Sequence, residues 1–209
     1  LSDRAEYYDM LCLYGLNKDA SAIEKANRIS EESKDALIRS EALLWRAKYF
    51  YNAGKWKEAG DSFQKYYEMK IARDGGASAM LWAARSALAD GHYDLAVKRS
   101  AILTEHFRDS SEYPFALIVQ GEALMNLARF DEAVLVLDMA MASKKLSQTE
   151  RIRAETKKAD SLFSLGADDQ RRYEEALEIY KKLLIDSSLS PDAKLLVSYK
   201  IARTLEKLR

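Results

Sequence analysis

The residue types that most often carry out chemistry are scarce in this chain. It has one cysteine, Cys12, and two histidines, His92 and His106. A zinc site needs several Cys or His ligands at short spacing, and Cys12 is distant from both histidines. Cys12 also lies in an apolar segment between two leucines, which is typical of a buried thiol rather than a reactive one. We therefore expect no metal site, and nothing in the sequence marks a catalytic nucleophile.

Phosphate binding and acid–base catalysis lack good candidates too. Gly75–Gly76 is not followed by the Lys-Ser/Thr of a phosphate-binding loop and is typical of a turn between repeats. The carboxylate pairs Asp168–Asp169 and Glu174–Glu175 fall in predicted turns or helix starts, where charged side chains are usually solvated. The sequence thus predicts no enzyme, no catalytic residues and no cofactor.

Composition indicates an all-helical protein. The chain has 209 residues, of which only 8 are Gly and 2 are Pro, and 33 basic residues balance 33 acidic ones. Few helix breakers favour α-helices, and the absence of net positive charge argues against nucleic acid as a partner. A lone cysteine excludes an intramolecular disulfide. No signal peptide is visible, and no apolar run approaches the ~18 residues of a membrane-spanning helix, so we expect no direct membrane insertion.

A short pattern recurs along the chain: a turn residue, a polar residue, an aromatic residue, two mostly polar residues and an alanine. It occupies 54–59, 91–96 and 128–133 in steps of 37 residues, and it returns at 172–176 after a step of 43. Such a period indicates an array in which each repeat is one supersecondary unit.

Each repeat is predicted to be a helix, a tight turn and a second helix. Leu43, Ala47 and Phe50 fall on one face of a first helix, and Ala59 and Phe63 fall on one face of the next. The small residues let the two backbones approach closely. One such hairpin cannot bury both apolar faces, so successive hairpins must stack.

This pattern resembles the tetratricopeptide repeat family over about residues 35 to 186. Each copy has a small and a large residue in its first helix, then an aromatic residue and an alanine after its turn: Ala47/Phe50 with Trp56/Ala59, Ala84/Ala87 with Tyr93/Ala96, Gly121/Leu124 with Phe130/Ala133, and Ala159/Leu162 with Tyr173/Ala176. The step of 37 exceeds the usual 34 of that family. The second copy is weaker than the others, because Ala87 stands where the first copy has Phe50 and Ser100 stands where it has Phe63. The resemblance implies an all-α, right-handed α-solenoid of stacked antiparallel helix pairs, with about eleven helices.

We expect a single solenoid over residues 1–209, with repeats at 35–72, 77–108, 112–144 and 147–186. Residues 3–32 form a degenerate first unit, because Gly15–Ala20 lies 39 residues before Gly54–Ala59. Ser147–Glu150 is a capping box that starts the fourth repeat. Residues 190–209 predict one further amphipathic helix, either a cap or the first half of another repeat.

In this family the first helices line a concave groove, which is the candidate binding site. The predicted groove residues form one set per repeat, with a charge in the middle: Leu44, Lys48 and Tyr51; Leu81, Arg85 and Leu88; Ile118, Glu122 and Met125; and Thr156, Asp160 and Phe163. If these residues are exposed, they form an apolar trough that is positive at Lys48 and Arg85 and negative at Glu122 and Asp160. Such a trough suits an extended or helical peptide. The alternative is that tight curvature buries them between neighbouring first helices.

Two further patterns refine this hypothesis. The carboxylate clamp of chaperone-binding members is not expected, because Glu122 and Asp160 occupy positions where that clamp needs further polar or basic groups. Trp45 and Trp82 are also 37 residues apart and lie off both helix faces, which favours packing between adjacent units over a ligand platform.

The resemblance implies a non-enzymatic protein–protein interaction scaffold that binds a peptide or protein segment of unknown identity in its groove. The alternative is a structural segment of a longer or self-associating solenoid without a ligand of its own. In the self-associating case the chain would form a homo-oligomer. The linker 105–113 resembles the joints of bacterial cell-envelope members such as the Tol-Pal coordinator and outer-membrane assembly lipoprotein groups. That likeness slightly favours the bacterial periplasm or cell envelope over the cytoplasm.

Overall fold

The computed structural model describes residues 2–71, 75–186 and 188–209, and within these ranges it contains eleven α-helices and no strand. The helices are α1 (Asp3–Gly15), α2 (Asp19–Glu32), α3 (Ala36–Asn52), α4 (Trp56–Glu68), α5 (Gly76–Ala89), α6 (Tyr93–His106), α7 (Tyr113–Asn126), α8 (Phe130–Met141), α9 (Gln148–Leu165), α10 (Gln170–Leu184) and α11 (Pro191–Lys207). The predicted all-α fold is confirmed.

The chain divides into two compact units, unit 1 (Leu1–Ile102) and unit 2 (Leu103–Arg209). The predicted single solenoid over residues 1–209 stays a prediction. The predicted end of the repeat at 35–72 falls on a residue outside the described ranges.

Polar side chains start several of the helices by capping backbone N–H groups that have no intrahelical partner. Asp35 accepts hydrogen bonds from the N–H groups of Leu37 and Ile38 at the start of α3. Ser147 and Glu150 form the predicted capping box at the start of α9. Ser190 caps α11, and Pro191 follows in its first turn. These residues determine where the helices begin, because each accepts a hydrogen bond from a backbone N–H group that would otherwise be unpaired.

One turn geometry is repeated between the paired helices. Asn17, Gly54, Gly91 and Ala128 all have a positive φ, between 56° and 76°, and they are 37 residues apart. The next N–H donates to a carbonyl five residues back, as from Lys55 to Phe50 at 2.9 Å. This is the Schellman ending of a helix, which places one left-handed residue after the last turn.

The turn geometry corrects the sequence alignment of the first repeat. Asn17, not Gly15, is the equivalent of Gly54, and the step is therefore 37 residues instead of 39. Ala22 is accordingly the equivalent of Ala59, and both side chains are fully buried. The first repeat is more regular than its sequence suggested.

In unit 1 the helices α1 to α5 pack consecutively, and the first helices α1 and α3 also touch. Ala47 of α3 and Ala59 of α4 are fully buried where the two helices meet, and Phe63 joins them in one apolar cluster. The side chain of Arg99 on α6 donates to the carbonyl of Ala83 on α5 and to Asp61 on α4. Small residues at the crossings therefore allow close packing, as the sequence pattern predicts.

In unit 2 the helices α7 to α11 pack consecutively, and the first helices α7 and α9 also touch. The apolar cluster between α9, α10 and α11 contains Ala159, Leu162, Ala176, Tyr180 and Val197. The same small-and-large pattern thus builds both units.

Gly121 marks a close approach of α7 and α8. A Cβ atom added at Gly121 would lie 2.7 Å from Cγ of Leu137, which is fully buried. We expect Gly121→Ala to lower the free energy of unfolding by up to about 2 kcal/mol, because an overpacking cost of about 1–3 kcal/mol outweighs the roughly 1 kcal/mol that alanine gains in a helix. Urea denaturation followed by circular dichroism measures the change.

Gly15→Ala provides the matched control for this substitution. Gly15 also lies in a helix, but a Cβ atom there would have no neighbour within 4 Å. This control should be neutral or slightly stabilising. Equal stability of Gly121→Ala and the wild type would contradict the close approach of α7 and α8.

Candidate functional site

The predicted groove residues differ widely in exposure. Lys48 is exposed, whereas Leu44, Tyr51, Arg85, Leu88, Met125, Thr156, Asp160 and Phe163 are half-buried. Leu81, Ile118 and Glu122 are only 5%, 3% and 7% exposed. A side chain must be accessible to contact a partner, so these three take no part in a binding surface. Their burial favours the alternative of burial between neighbouring first helices for these three residues, and the groove as a whole stays a prediction.

Lys48 and Tyr51 are brought together in a cleft of unit 1. The cleft has a volume of about 250 Å³ and is lined by Lys48, Tyr51, Asn52, Phe63 and Trp82. Helix α3 supplies three of these residues because positions three and four apart share a helix face. Phe63 of α4 is 2% exposed, and Trp82 comes from α5.

Aromatic contacts hold the apolar residues of this cleft in place. The ring of Tyr51 meets Trp82 edge to face, with centroids 4.8 Å apart, and meets Trp56 in the same way at 4.9 Å. Phe63 lies nearly parallel to Trp82 at 6.4 Å. Edge-to-face and offset-stacked rings are the favoured aromatic arrangements, so the cleft presents a pre-formed apolar surface.

Two cations lie beside the aromatic rings. The guanidinium of Arg85 lies 4.9 Å from the centroid of the Trp82 ring, which is within the range of a cation–π contact. Lys48 is exposed, and among the described residues no carboxylate pairs with it. The cleft therefore combines apolar walls with a positive edge, which can attract a carboxylate.

The Tyr51–Trp82 pair has a counterpart one repeat earlier. Tyr14 and Trp45, each 37 residues before its equivalent, meet edge to face with centroids 5.3 Å apart. Each tryptophan thus packs against the first helix of the preceding repeat, as predicted from the spacing of Trp45 and Trp82. Tyr49 stacks on Trp45 at 5.5 Å and extends the aromatic surface of α3.

Three residues that line this cleft are not among the predicted groove residues: Asn52, Phe63 and Trp82. Phe63 and Trp82 were assigned to packing, and both do pack against Tyr51 or its neighbours. The shared 37-residue step of Tyr14/Trp45 and Tyr51/Trp82 was the available signal, because it places equivalent aromatic residues in contact.

Unit 2 contains a cleft at the equivalent position. Its volume is about 270 Å³, and its lining includes Asp160, Phe163 and Ser164, which lie 112 residues after Lys48, Tyr51 and Asn52. The remaining lining residues come from α10 and α11: Tyr180, Leu196, Tyr199, Lys200 and Arg203. The guanidinium of Arg203 lies 5.5 Å from the ring centroid of Phe163.

The carboxylate of the unit 2 cleft is already occupied by neighbours. Asp160 accepts hydrogen bonds from the hydroxyl of Tyr180 at 2.7 Å and from the ammonium of Lys200. Burial, together with the nearby charge of Asp160, raises the pKa of Tyr180 above its usual range, so this hydroxyl remains a donor. Asp160 therefore offers little negative charge to a ligand.

Glu122 is neutralised in a similar way. Both of its carboxylate oxygens accept hydrogen bonds from the guanidinium of Arg153 on α9, at 2.7 and 2.6 Å. This bidentate pair raises the pKa of Arg153. A cation from the following first helix thus pairs with each of the two carboxylates, which leaves little free negative charge at Glu122 and Asp160, and the negative stretch of the groove stays a prediction. Leu88 and Met125 line neither of the two clefts.

Neither a cluster of metal-ligating side chains nor a membrane-spanning helix occurs within the described ranges. No group of three or more His, Cys, Asp and Glu side chains there is arranged to hold a metal ion. Within the same ranges, no helix combines the length and the apolar character needed to cross a membrane.

Comparison with known proteins identifies a repeat type and a fold. The profile of the tetratricopeptide repeat matches residues 41–68, which cover most of α3 and all of α4. Nearly identical TPR-like repeats of a putative kinesin light chain from Podosopora anserina superpose with a TM-score of 0.57 at 16% identity, over 90% of this chain and 97% of that one. A single-substitution variant of that protein gives a TM-score of 0.62 at 16% identity, over 81% of this chain and 86% of the other.

At these identities the superpositions show the fold alone. The TPR2AB domain of yeast Sti1 in a pHSP90 complex superposes with a TM-score of only 0.44 at 15% identity, over 99% of this chain and 85% of that one. No curated protein sequence matches this chain. The cell-envelope localisation stays a prediction.

Proposed function

We propose that this chain, which carries a tetratricopeptide repeat at residues 41–68 and has the fold of such repeats, is a protein-interaction module that binds a peptide segment in the cleft of unit 1. The observation that supports this most directly is the cleft itself, which the exposed Lys48 lines together with the aromatic residues Tyr51 and Trp82. Pockets that combine apolar walls with a few polar groups are typical ligand sites.

The lining of the cleft suggests what the peptide contains. A space of about 250 Å³ between Tyr51, Phe63 and Trp82 suits one large apolar or aromatic side chain. Lys48 at the edge suits a carboxylate adjacent to that side chain, since an exposed cation can form a charge-assisted hydrogen bond with it. The amide of Asn52 can both donate to and accept from a peptide backbone. We therefore propose an apolar anchor next to an acidic residue.

The alternative, a structural segment without a ligand, accounts for the packing of the repeats but not for the chemistry of this cleft. A segment that only stacks against its neighbours does not need a cleft that is lined by half-buried aromatic residues and by a lysine without a carboxylate partner among the described residues. An enzyme is not proposed, because tetratricopeptide proteins are generally scaffolds and because the carboxylate of the unit 2 cleft is already bonded to Tyr180 and Lys200.

A selection from a random-peptide phage library tests the proposed function. The immobilised chain should enrich peptides that carry an acidic residue next to an aromatic or large aliphatic residue. Titration of the selected peptides should change tryptophan fluorescence, because Trp82 lines the cleft. Failure to enrich any such motif would count against peptide binding in this cleft.

Lys48→Glu should abolish most of this binding without unfolding the protein. The substitution removes a charge-assisted hydrogen bond of about 1.5–3 kcal/mol, so the Kd of a selected peptide should rise roughly 10- to 100-fold. Isothermal titration calorimetry measures the Kd, and the melting temperature should stay close to the wild-type value because Lys48 is exposed.

The matched control for this variant is Lys65→Glu. Lys65 is an exposed lysine on α4 that does not line the cleft, so the same charge reversal there should leave the Kd unchanged. If both variants bind the selected peptides as tightly as the wild type, the peptides bind elsewhere and the proposed site is wrong.

A further inference from the structure

Helix α8 has an exposed apolar face that the other second helices lack. Leu135, Met139 and Ala142 are spaced four and three residues apart, so they lie on one side of the helix and its C-cap, which we call the α8 face. Leu135 and Met139 are 62% and 44% exposed, and Ala142 is exposed as well. The repeat steps of 37 and 43 give the equivalent positions of α2, α4, α6 and α10, which are mostly charged: Glu24, Arg28 and Glu31; Asp61, Lys65 and Glu68; Lys98, Ile102 and Glu105; and Glu178, Lys182 and Ile185.

The α8 face is not the surface on which the array of repeats continues. Leu135 and Met139 are exposed although α9, α10 and α11 follow α8 in unit 2. In unit 1 the equivalent residues of α4, Asp61 and Lys65, are exposed although α5 and α6 follow. A further repeat therefore does not cover this face. The repeat does not need apolar residues here either, and exposed apolar patches typically mark interaction surfaces.

A cleft, the α8 cleft, lies at the C-terminal end of the α8 face. Its volume is about 290 Å³, and its lining includes Met139 and Ala142 of the α8 face and Tyr113 and Pro114 from the start of α7. Ala142 leaves room at this end of the face, whereas Leu135 projects from it two turns earlier. The same helix thus carries an apolar projection and an apolar recess.

The two ends of the α8 face differ in charge. Arg108 and Lys145 also line the α8 cleft, and none of its described lining residues is acidic. The ammonium of Lys145 donates to the backbone carbonyls of Asp109 and Ser110 at 2.7 and 3.1 Å, and neither cation pairs with a carboxylate in the described part of the chain.

At the opposite end of the α8 face the free charge is negative. Asp131 lies four residues before Leu135 and is therefore on the same side of α8. Its side chain is exposed, and no cation among the described residues pairs with it. The α8 face thus runs from an acidic end, through Leu135, to the α8 cleft with its basic edge.

We propose that the α8 face binds a second copy of this chain, with the two α8 helices antiparallel about a two-fold axis near Met139. Leu135 of each copy then enters the α8 cleft of the other copy, opposite Ala142. Asp131 lies one turn further along and meets Arg108 and Lys145 of the other copy. Each contact is made twice, as in every isologous interface.

The match between the two ends of the α8 face favours a second copy over any other occupant. Leu135 and Ala142 are seven residues apart, about 10.5 Å along a helix, and Met139 lies near the midpoint. A two-fold axis at that midpoint pairs a large residue with a small one and an acidic end with a basic end. Another protein, or another segment of this chain, would require only one of the two ends.

Sedimentation velocity over a range of about 5 to 500 μM tests this proposal, because an antiparallel pair of single helices is a small interface with an expected Kd on the order of 10–100 μM. We expect a reversible equilibrium between monomer and dimer. A concentration-independent monomer over the whole range would overturn the proposal.

Leu135→Lys should raise the Kd of the dimer at least about 10-fold, because it places an ammonium group in an apolar cleft edged by two cations. Lys98 of α6 occupies the equivalent position, so the variant should fold and melt like the wild type. Leu16→Lys is the matched control: Leu16 is 65% exposed but lies outside α8, so the Kd should not change. Equal Kd values for all three proteins would contradict the proposed interface.

A charge exchange distinguishes a second copy from every other occupant. Arg108→Asp and Asp131→Arg should each raise the Kd about 3- to 10-fold, since each brings like charges together. The double variant should regain most of the wild-type affinity, because residue 108 of one copy faces residue 131 of the other. If the double variant dimerises no better than the single variants, the antiparallel arrangement is wrong.

This interface does not rest on the proposed function of the unit 1 cleft, because the two share no residue. Lys48→Glu should dimerise like the wild type, and Leu135→Lys should bind the selected peptides with the wild-type Kd. Failure of the dimer and failure of peptide binding can therefore be told apart.

Discussion

Leu81→Glu is expected to unfold unit 1 rather than to leave it folded without a ligand. Leu81 is 5% exposed, so the substitution removes a buried apolar side chain and places a carboxylate among apolar neighbours. Loss of the leucine alone typically costs about 2–5 kcal/mol, and an unpaired buried polar group adds a further 1–3 kcal/mol or more. Because a domain of this kind has only about 5–15 kcal/mol of stability, most of it would be lost.

Thermal denaturation followed by far-UV circular dichroism measures this effect. Ile118→Glu should have the same outcome in unit 2, since Ile118 is 3% exposed. Lys48→Glu is the control, because it introduces the same side chain at an exposed position of an equivalent first helix and should change stability by less than about 0.5 kcal/mol. A wild-type melting temperature for Leu81→Glu would mean that Leu81 is accessible, and the groove would then extend over it.

Phe63→Ala is expected to have the second-largest effect, a loss of about 3–5 kcal/mol in the free energy of unfolding. Phe63 is 2% exposed and packs with Ala47, Ala59 and the ring of Trp82, so its removal leaves a cavity below the cleft of unit 1. Urea denaturation measures the loss, and a shift in the native tryptophan emission should accompany it because Trp82 loses its stacked neighbour.

Tyr8→Ala serves as the control for this truncation. Tyr8 is an aromatic residue on α1 that is 58% exposed, so its removal should cost no more than about 0.5 kcal/mol. If Phe63→Ala is as mild as Tyr8→Ala, then Phe63 does not form the floor of the cleft, and the packing described for α3, α4 and α5 is wrong.

The repeat could be predicted from the sequence partly because its turn favours particular residue types. A positive φ is easiest for glycine, and Gly54 and Gly91 therefore stand out at a 37-residue step. The first repeat was misaligned by two residues because asparagine, the next most tolerant residue, occupies this position at Asn17 while Gly15 lies nearby. From the sequence alone, Gly15 is therefore a more obvious turn residue than Asn17, although Asn17 has the positive φ.

The groove was harder to predict because periodicity identifies a helix face but not the neighbour that covers it. Leu44, Leu81 and Ile118 occupy the same position of successive first helices, yet Leu44 is half-buried and the other two are buried. Their exposure depends on how closely adjacent first helices approach, which is a tertiary property. The pairing of Glu122 with Arg153, 31 residues away, depends on the same approach and has no local signal.

The division into two units also gives the chain a built-in optical label. Trp45, Trp56 and Trp82 are the three tryptophans of the sequence, and all of them lie in unit 1. Tryptophan emission therefore follows the unfolding of unit 1 alone, whereas far-UV ellipticity sums over the helices of both units. In repeat arrays, coupling between neighbours decides whether the chain unfolds as a whole or in parts. One denaturation midpoint comes from tryptophan emission and the other from far-UV ellipticity. The difference between these two midpoints therefore measures how cooperatively the chain unfolds.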